Sequence, residues 1–201
     1  MKPKLRDEEV AIATAAFTLE GHLTVPANAA GIVIFAHGSG SSRHSPRNQE
    51  VAKELNRIGL ATLLFDLLTP TEAEDRTNVF DIELLAERLV EATLWLQTNT
   101  ELGDLPVGYF GASTGAAAAL WAAGDLKEKV AAVVSRGGRA DLAGSQLPRV
   151  TAATLLIVGG KDEVVIDLNR QAQVRLNCEN DLVIVQGATH LFEEEGALEQ
   201  V

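Results

Sequence analysis

The sequence predicts an α/β fold, a mostly parallel, doubly wound sheet, and three observations carry that prediction. Short, nearly continuous apolar runs recur along the chain. Amphipathic helical patterns alternate with them. Residues able to do chemistry follow directly on the carboxyl ends of several of the runs.

The first segments differ from the rest. Residues 10–17 and 19–25 mix β-branched and polar side chains, with Glu20-Gly21 as the turn-prone pair, and predict an antiparallel pair of strands at the start. Six apolar runs follow, at 31–36, 61–65, 107–110, 130–134, 154–158 and 182–185. Runs this apolar read as strands covered on both faces, the mark of a parallel sheet. Between them, residues 48–58, 80–97, 115–123 and 167–176 carry helix formers with apolar positions three or four apart. Strand and helix in alternation imply right-handed crossovers, which collect functional residues at the carboxyl edge of the sheet.

The chain has 201 residues, 46% of them hydrophobic, enough for one good core, and no repeat or long linker divides it. A single domain over residues 1–201 is expected. The formal net charge of -11 argues against a nucleic-acid partner, because phosphate backbones are bound by clustered Lys and Arg. Residues 1–6 are basic, but Asp7, Glu8 and Glu9 follow at once, so the uninterrupted apolar core of a signal peptide is missing. No apolar run reaches the ~20 residues that span a bilayer. Cys178 is the only cysteine, which excludes an internal disulfide and a cysteine-based zinc cluster and fits a reducing, cytoplasmic setting. With no paired histidines on a helix either, neither a metal nor a cofactor is expected.

The most informative stretch is Gly111-Ala112-Ser113-Thr114-Gly115, which joins the run at 107–110 to the alanine-rich helical segment at 115–123. A serine thrust out on a tight strand-to-helix turn leaves no room for side chains at the flanking positions, which is why glycines stand there. The helix points its amide end at the serine and favours negative charge there. Alone, the pentapeptide could be a glycine-bearing helix start with an idle serine; the strand before and the helix after favour a nucleophile.

A serine hydroxyl needs a base, and the base needs a group that fixes its tautomer. Asp162 follows the run at 154–158 after Gly159-Gly160-Lys161, and His190 follows the run at 182–185. By themselves these read as a helix cap and a surface histidine. Together with Ser113 they form the order serine, acid, histidine, each beyond a strand end. Glu163 is a rival acid, but Asp162 comes first after the double glycine.

The run at 31–36 ends in His37-Gly38-Ser39-Gly40, where a loop can turn a backbone amide toward the nucleophile. The amides of Ser39 and Thr114 are the expected oxyanion donors. His37 is expected to hold this loop rather than act as a second base, and His22 and His44 read as structural. Arg43, Arg47, Arg136 and Arg139 follow strand ends. Arg43 and Arg136 are the candidates for gripping a substrate carboxylate, with surface ion pairing as the alternative. Cys178 reads as structural.

These residues, His37-Gly38-Ser39-Gly40, Gly111-Ala112-Ser113-Thr114-Gly115, Gly160-Lys161-Asp162 and Ala188-Thr189-His190, resemble the dienelactone-hydrolase-like branch of the α/β hydrolases over nearly the whole chain. Ser135-Arg136-Gly137-Gly138-Arg139-Ala140-Asp141-Leu142 is similar to the segment of small hydrolases found alone or fused to phosphoribosyltransferase domains. The resemblance implies an eight-stranded sheet with little or no lid and cleavage of small esters. Dienelactone hydrolases proper carry cysteine where this chain has Ser113. The expected partner is a small-molecule ester, and because short connections after the sheet strands leave few residues for a cap, an open pocket that prefers short acyl chains is expected. The alternatives are a thioesterase or acyltransferase using the same triad, and a non-catalytic binding module on the same scaffold.

Overall fold

The computed structural model describes residues 6–14 and 16–201; the basic amino end at residues 1–5 and Ala15, inside the first predicted strand, lie outside them. The chain opens with two antiparallel strands, β1 (Arg6–Ala13) and β2 (Thr18–Val25), which pair in register from Arg6 opposite Val25 to Ala13 opposite Thr18. The turn between them is closed by Thr14, whose N–H donates to the Phe17 carbonyl at 2.9 Å while its hydroxyl oxygen accepts from the Phe17 N–H. Glu20-Gly21 is therefore not the turn. Gly21 sits inside β2, where a Cβ would lie 3.1 Å from that of Phe65 and 3.2 Å from Val10.

From there strand and helix alternate: β3 (Ile32–Ala36), α1 (Pro46–Arg57), β4 (Ala61–Phe65), the five-residue helices α2 (Pro70–Glu74) and α3 (Arg76–Phe80), α4 (Ile82–Gln97), β5 (Val107–Ala112), α5 (Thr114–Leu126), β6 (Val130–Arg136), β7 (Ala153–Gly159), α6 (Glu163–Arg175) and β8 (Asn180–Val185). A stretch of 3₁₀ turns, Ala140–Arg149, links β6 to β7. The eight strands form one sheet in the order β1-β2-β4-β3-β5-β6-β7-β8, parallel from β4 onward. The expected eight-stranded, doubly wound α/β sheet is present.

The apolar runs are explained by cover on both faces. Ile34 and Ala36 join the large cluster under α4 and α5, with Leu85, Leu89, Ala118 and Ala119. Phe35 points the other way, to Ala52 of α1 and to Phe110, ring to ring at 5.0 Å. Each leucine, isoleucine or phenylalanine among them contributes roughly 1.5–3 kcal/mol when taken out of water. The alanines of α5 let that helix lie close on the sheet, and Ala116 to Leu120 are all fully buried.

The chain winds one way from β3 to β4 and the other way from β5 onward, so β3 and β5 are neighbours at the point where strand order reverses. Loops leaving such a pair diverge and open a crevice at the carboxyl edge. α2 and α3 form a small cap over one end of it. The cap is tied down by Glu72, which closes a capping box on Thr69 and takes the buried Arg88 of α4 at 2.9 Å. Among the described residues no helix is long and apolar enough to cross a membrane.

On the outer hairpin His22 lies between Glu9 (2.9 Å) and Asp7 (2.7 Å). Burial lowers its pKa, but the two carboxylates outweigh that and leave it above the ordinary histidine value. A raised folded-state pKa gives stability that is present below the unfolded value and lost as pH rises through the folded one. Thermal unfolding of wild type and His22→Gln should differ more at about pH 6 than at about pH 8.5, by at most ~1 kcal/mol for so exposed a pair. An equal difference at both pH values would contradict the arrangement.

Candidate active site

Ser113 stands where β5 ends and α5 begins, with φ 52° and ψ -121° in a region that bulky L-residues avoid. The turn is held by backbone bonds: Ser113 N–H donates to the Arg136 carbonyl at 3.3 Å, and the Ser113 carbonyl accepts from Ala116 (3.1 Å) and Arg139 (3.0 Å). Its glycines are forced by close approach. A Cβ on Gly111 would lie 2.4 Å from the Ala116 Cα, and one on Gly115 would lie 2.2 Å from the Ala36 carbonyl oxygen.

Asp162 and His190 come from the loops after β7 and β8, and the structure brings both to Ser113. His190 Nε2 is 3.3 Å from the Ser113 Oγ, and His190 Nδ1 is 2.6 Å from Asp162 Oδ2. This geometry gives His190 an Nδ1–H that donates to the carboxylate and leaves Nε2 free to accept the serine proton. Asp162 does occupy the residue before α6, the position of a cap, yet its side chain makes no cap bond and is given to His190. Glu163, the rival acid, is the first residue of α6 and is exposed.

The His190 loop is itself anchored. Gly160 N–H donates to Val185 at 2.8 Å and Lys161 N–H to Ala188 at 2.9 Å, which fastens the acid loop to the histidine loop. Phe192, two residues on, is buried at φ 55°. Nothing in the sequence marks that conformation.

The loop after β3 lies against the elbow, since a Cβ on Gly38 would be 3.0 Å from that of Ser113. His37 is half-buried and fixes this loop: Leu67 N–H donates to its Nε2 at 3.1 Å, and its Nδ1 lies 3.0 Å from the Gly38 carbonyl. Burial pushes its pKa down, which keeps the ring neutral, as an acceptor at Nε2 must be. Thr114, first in α5, has an amide with no acceptor inside the helix. The Ser39 amide, the other expected donor, is engaged with the Thr114 hydroxyl oxygen at 2.9 Å.

Arg43 and Arg136, the candidates for gripping a substrate carboxylate, have different surroundings. The Arg43 guanidinium is held by Asp66 and by Glu20 at 2.7 Å, and its own N–H donates to Asp66 at 2.8 Å. Nη1 and Nη2 are engaged while Nε has no hydrogen-bond partner among the described residues, and the side chain ties the loop after β3 to β2 and to the end of β4. Arg136 is only 6% exposed, and its carbonyl, not its side chain, meets the elbow. Its guanidinium lies 5.7 Å from the Phe192 ring centre and has no carboxylate partner among the described residues. Burial, with Arg47 nearby, pushes its pKa down to about 10. Of the other pair, Arg47 meets Glu193 at 2.8 Å and Arg139 meets Asp141 at 2.8 Å.

A cavity of about 380 Å³ opens from Gly38 and Ser39 toward the cap. Leu19, Leu67, Leu68, Ala73, Val79 and Leu85 give it an apolar wall, while Glu20, Arg43 and Asp66 form a polar side. The cap helices that supply Ala73 and Val79 lie between the expected strand at 61–65 and the body of the expected helix at 80–97. Among the described residues no group of three or more His, Cys, Asp or Glu side chains is placed to hold a metal ion.

Comparisons with known proteins agree with this architecture. A family model described as the alpha/beta hydrolase fold matches residues 31–151. The crystal structure of a dienelactone hydrolase from Anabaena variabilis shares 56% identity at a TM-score of 0.94, over 98% of this chain and 93% of that one. A Coxiella burnetii protein described as an alpha-beta serine hydrolase homologue superposes at a TM-score of 0.79 with 22% identity, over 96% and 92% of the two chains, a likeness of fold. Two Mycobacterium tuberculosis proteins named as phosphoribosyl transferases are 62% identical over 199 residues, 99% of this chain. The chain spans 45% of their length.

The elbow geometry makes a direct prediction. Gly115→Ala forces a methyl into the Ala36 and His37 carbonyls, and should cost about 2 kcal/mol or more, within or above the usual range for overpacking. Chemical denaturation checks this; an unchanged midpoint would show that the elbow is looser than described.

Proposed function

The chain belongs to the α/β-hydrolase family, in its dienelactone-hydrolase-like branch, and on that premise we propose that it cleaves small carboxylic esters through an acyl-enzyme on Ser113. The observation that carries the reading is the continuous line of contacts from Asp162 through His190 to the Ser113 hydroxyl, 2.6 and 3.3 Å long.

In this mechanism His190 Nε2 removes the Ser113 proton as the hydroxyl oxygen attacks the ester carbonyl. Asp162 stabilises the imidazolium that results. The tetrahedral oxyanion forms beside the start of α5, where the Thr114 amide is unsatisfied and the helix dipole favours negative charge. His190 then protonates the departing alkoxide. Water, deprotonated by the same ring, attacks the acyl-enzyme and releases the acid.

The apolar cavity at Gly38 and Ser39 gives the substrate somewhere to put a compact apolar group, and its volume is at the small end for ligand sites. Its lining holds neither Ser113 nor His190 and adjoins the serine through Gly38, so it supports small substrates as a neighbouring subsite. The phosphoribosyl-transferase name of the Mycobacterium tuberculosis relatives belongs to proteins of which this chain matches less than half. A thioesterase or acyltransferase would use the same three side chains, and a panel of nucleophiles and thioesters separates these from an esterase.

Nitrophenyl esters from acetate to dodecanoate should be hydrolysed with a maximum at short chains. Ser113→Ala should lose at least ~10³ of kcat/KM, and Asp162→Asn about 10³–10⁴ in kcat through the wrong histidine tautomer. Full activity in Ser113→Ala sinks the proposal. A rate rising steadily through the long chains removes the small-substrate part of it.

A further inference from the structure

Of the two amides expected to meet the oxyanion, one already has a partner. Ser39 N–H donates to the Thr114 hydroxyl at 2.9 Å, across the join between the loop after β3 and the start of α5. Thr114 is only 5% exposed while Ser39 is exposed, so this half-buried bond lies at the edge of the interior, with its acceptor fixed by packing and its donor on the open side of the loop. As an acceptor the hydroxyl still carries its own proton. Among the described residues nothing receives that proton.

A hydroxyl hydrogen turns about its C–O bond to meet whatever acceptor arrives. The backbone amide of the same residue is unsatisfied at the helix start, and amide and hydroxyl of one threonine lie within a few ångströms of each other. A negative oxygen that accepts from the Thr114 amide therefore comes within reach of the Thr114 hydroxyl.

From these facts the geometry points to the Thr114 side chain as a catalytic donor: its hydroxyl, polarised from behind by the Ser39 amide, hydrogen-bonds the oxyanion together with the Thr114 amide. The chain of bonds runs from Ser39 N–H to the Thr114 oxygen and from the Thr114 hydroxyl proton to the substrate oxygen. Each bond in such a chain strengthens the next, and more so away from water. The Ser39 amide then acts through the hydroxyl, not directly. No proton changes owner along this path, so the charge on the oxygen is stabilised without altering the role of His190.

The inference rests on the acyl-enzyme reading, and the experiment keeps the two apart. Kinetics on a short-chain nitrophenyl ester are compared for wild type, Ser113→Ala, Thr114→Val and Thr114→Ser. Thr114→Val keeps the backbone amide and nearly the shape but has no hydroxyl. It should lose ~10- to 10²-fold in kcat, somewhat less than a full oxyanion donor, with KM changed by no more than about twofold. Thr114→Ser, which restores the hydroxyl, should recover to within about fivefold of wild type.

A second readout is inhibition by an alkyl trifluoromethyl ketone, which places a negative oxygen in the same position once Ser113 adds to its carbonyl. Its affinity should weaken in Thr114→Val in step with kcat/KM. A purely structural role for the side chain would instead lower thermal stability and raise KM without that parallel. If Thr114→Val does not fold, Thr114→Ala carries the same expectation. Wild-type or faster turnover in Thr114→Val, or equal damage in the valine and serine variants, overturns the inference while leaving Ser113-dependent turnover intact. A wild type without Ser113-dependent turnover overturns both the inference and the reading beneath it.

Discussion

At the end of β5 the backbone must leave a strand, place Ser113 at positive φ and start a helix within one residue, and most of the carboxyl edge is arranged to make that possible. The strained turn lasts only because its surroundings over-determine it. Gly111 and Gly115 leave room for α5 and for the carbonyls of the neighbouring β3 loop. The Arg136 carbonyl and the Arg139 amide lock it from the side of β6. Because β5 lies beside β3, the same turn sets the distance from Ser113 to the loop that carries Ser39. The register of β6, β7 and β8 then carries the Asp162 and His190 loops to the other side of the serine.

Much of this was legible in the sequence because burial on both faces leaves a plain signal. All six apolar runs became strands, with ends moved by a few residues where polar side chains such as Ser135 and Arg136 continue the ladder. The Ser113, Asp162 and His190 positions were legible because each follows such a run directly. The first hairpin was misplaced, since Gly21 reads as a turn residue but serves close packing against Phe65. The small cap fits the expectation of little or no lid, but its two helices carry no sequence signal, because α2 and α3 are five residues each, too short for a periodic pattern, and the cap is tied down by the Glu72–Arg88 pair between α2 and α4.

Side-chain partnerships were the least legible. An arginine after a strand end reads as a possible anion grip, but its partner decides its role. Asp66 and Glu20 hold Arg43 as a tether for the loop after β3. Arg136 is kept from water beside Phe192 and faces Arg47, a costly placement in an otherwise acidic protein. From sequence Thr114 is legible only as a backbone donor; that its hydroxyl sits on the Ser39 amide depends on the loop after β3 meeting the start of α5, 75 residues along the chain.

The proposed chemistry requires Ser113 to be a nucleophile made reactive by His190. Incubation with a fluorophosphonate, followed by intact mass and peptide mapping, examines that directly. Wild type should gain a single adduct located on Ser113, and His190→Ala should label far more slowly under the same conditions. An adduct on another residue, or labelling of Ser113 at the wild-type rate without the His190 ring, would contradict it.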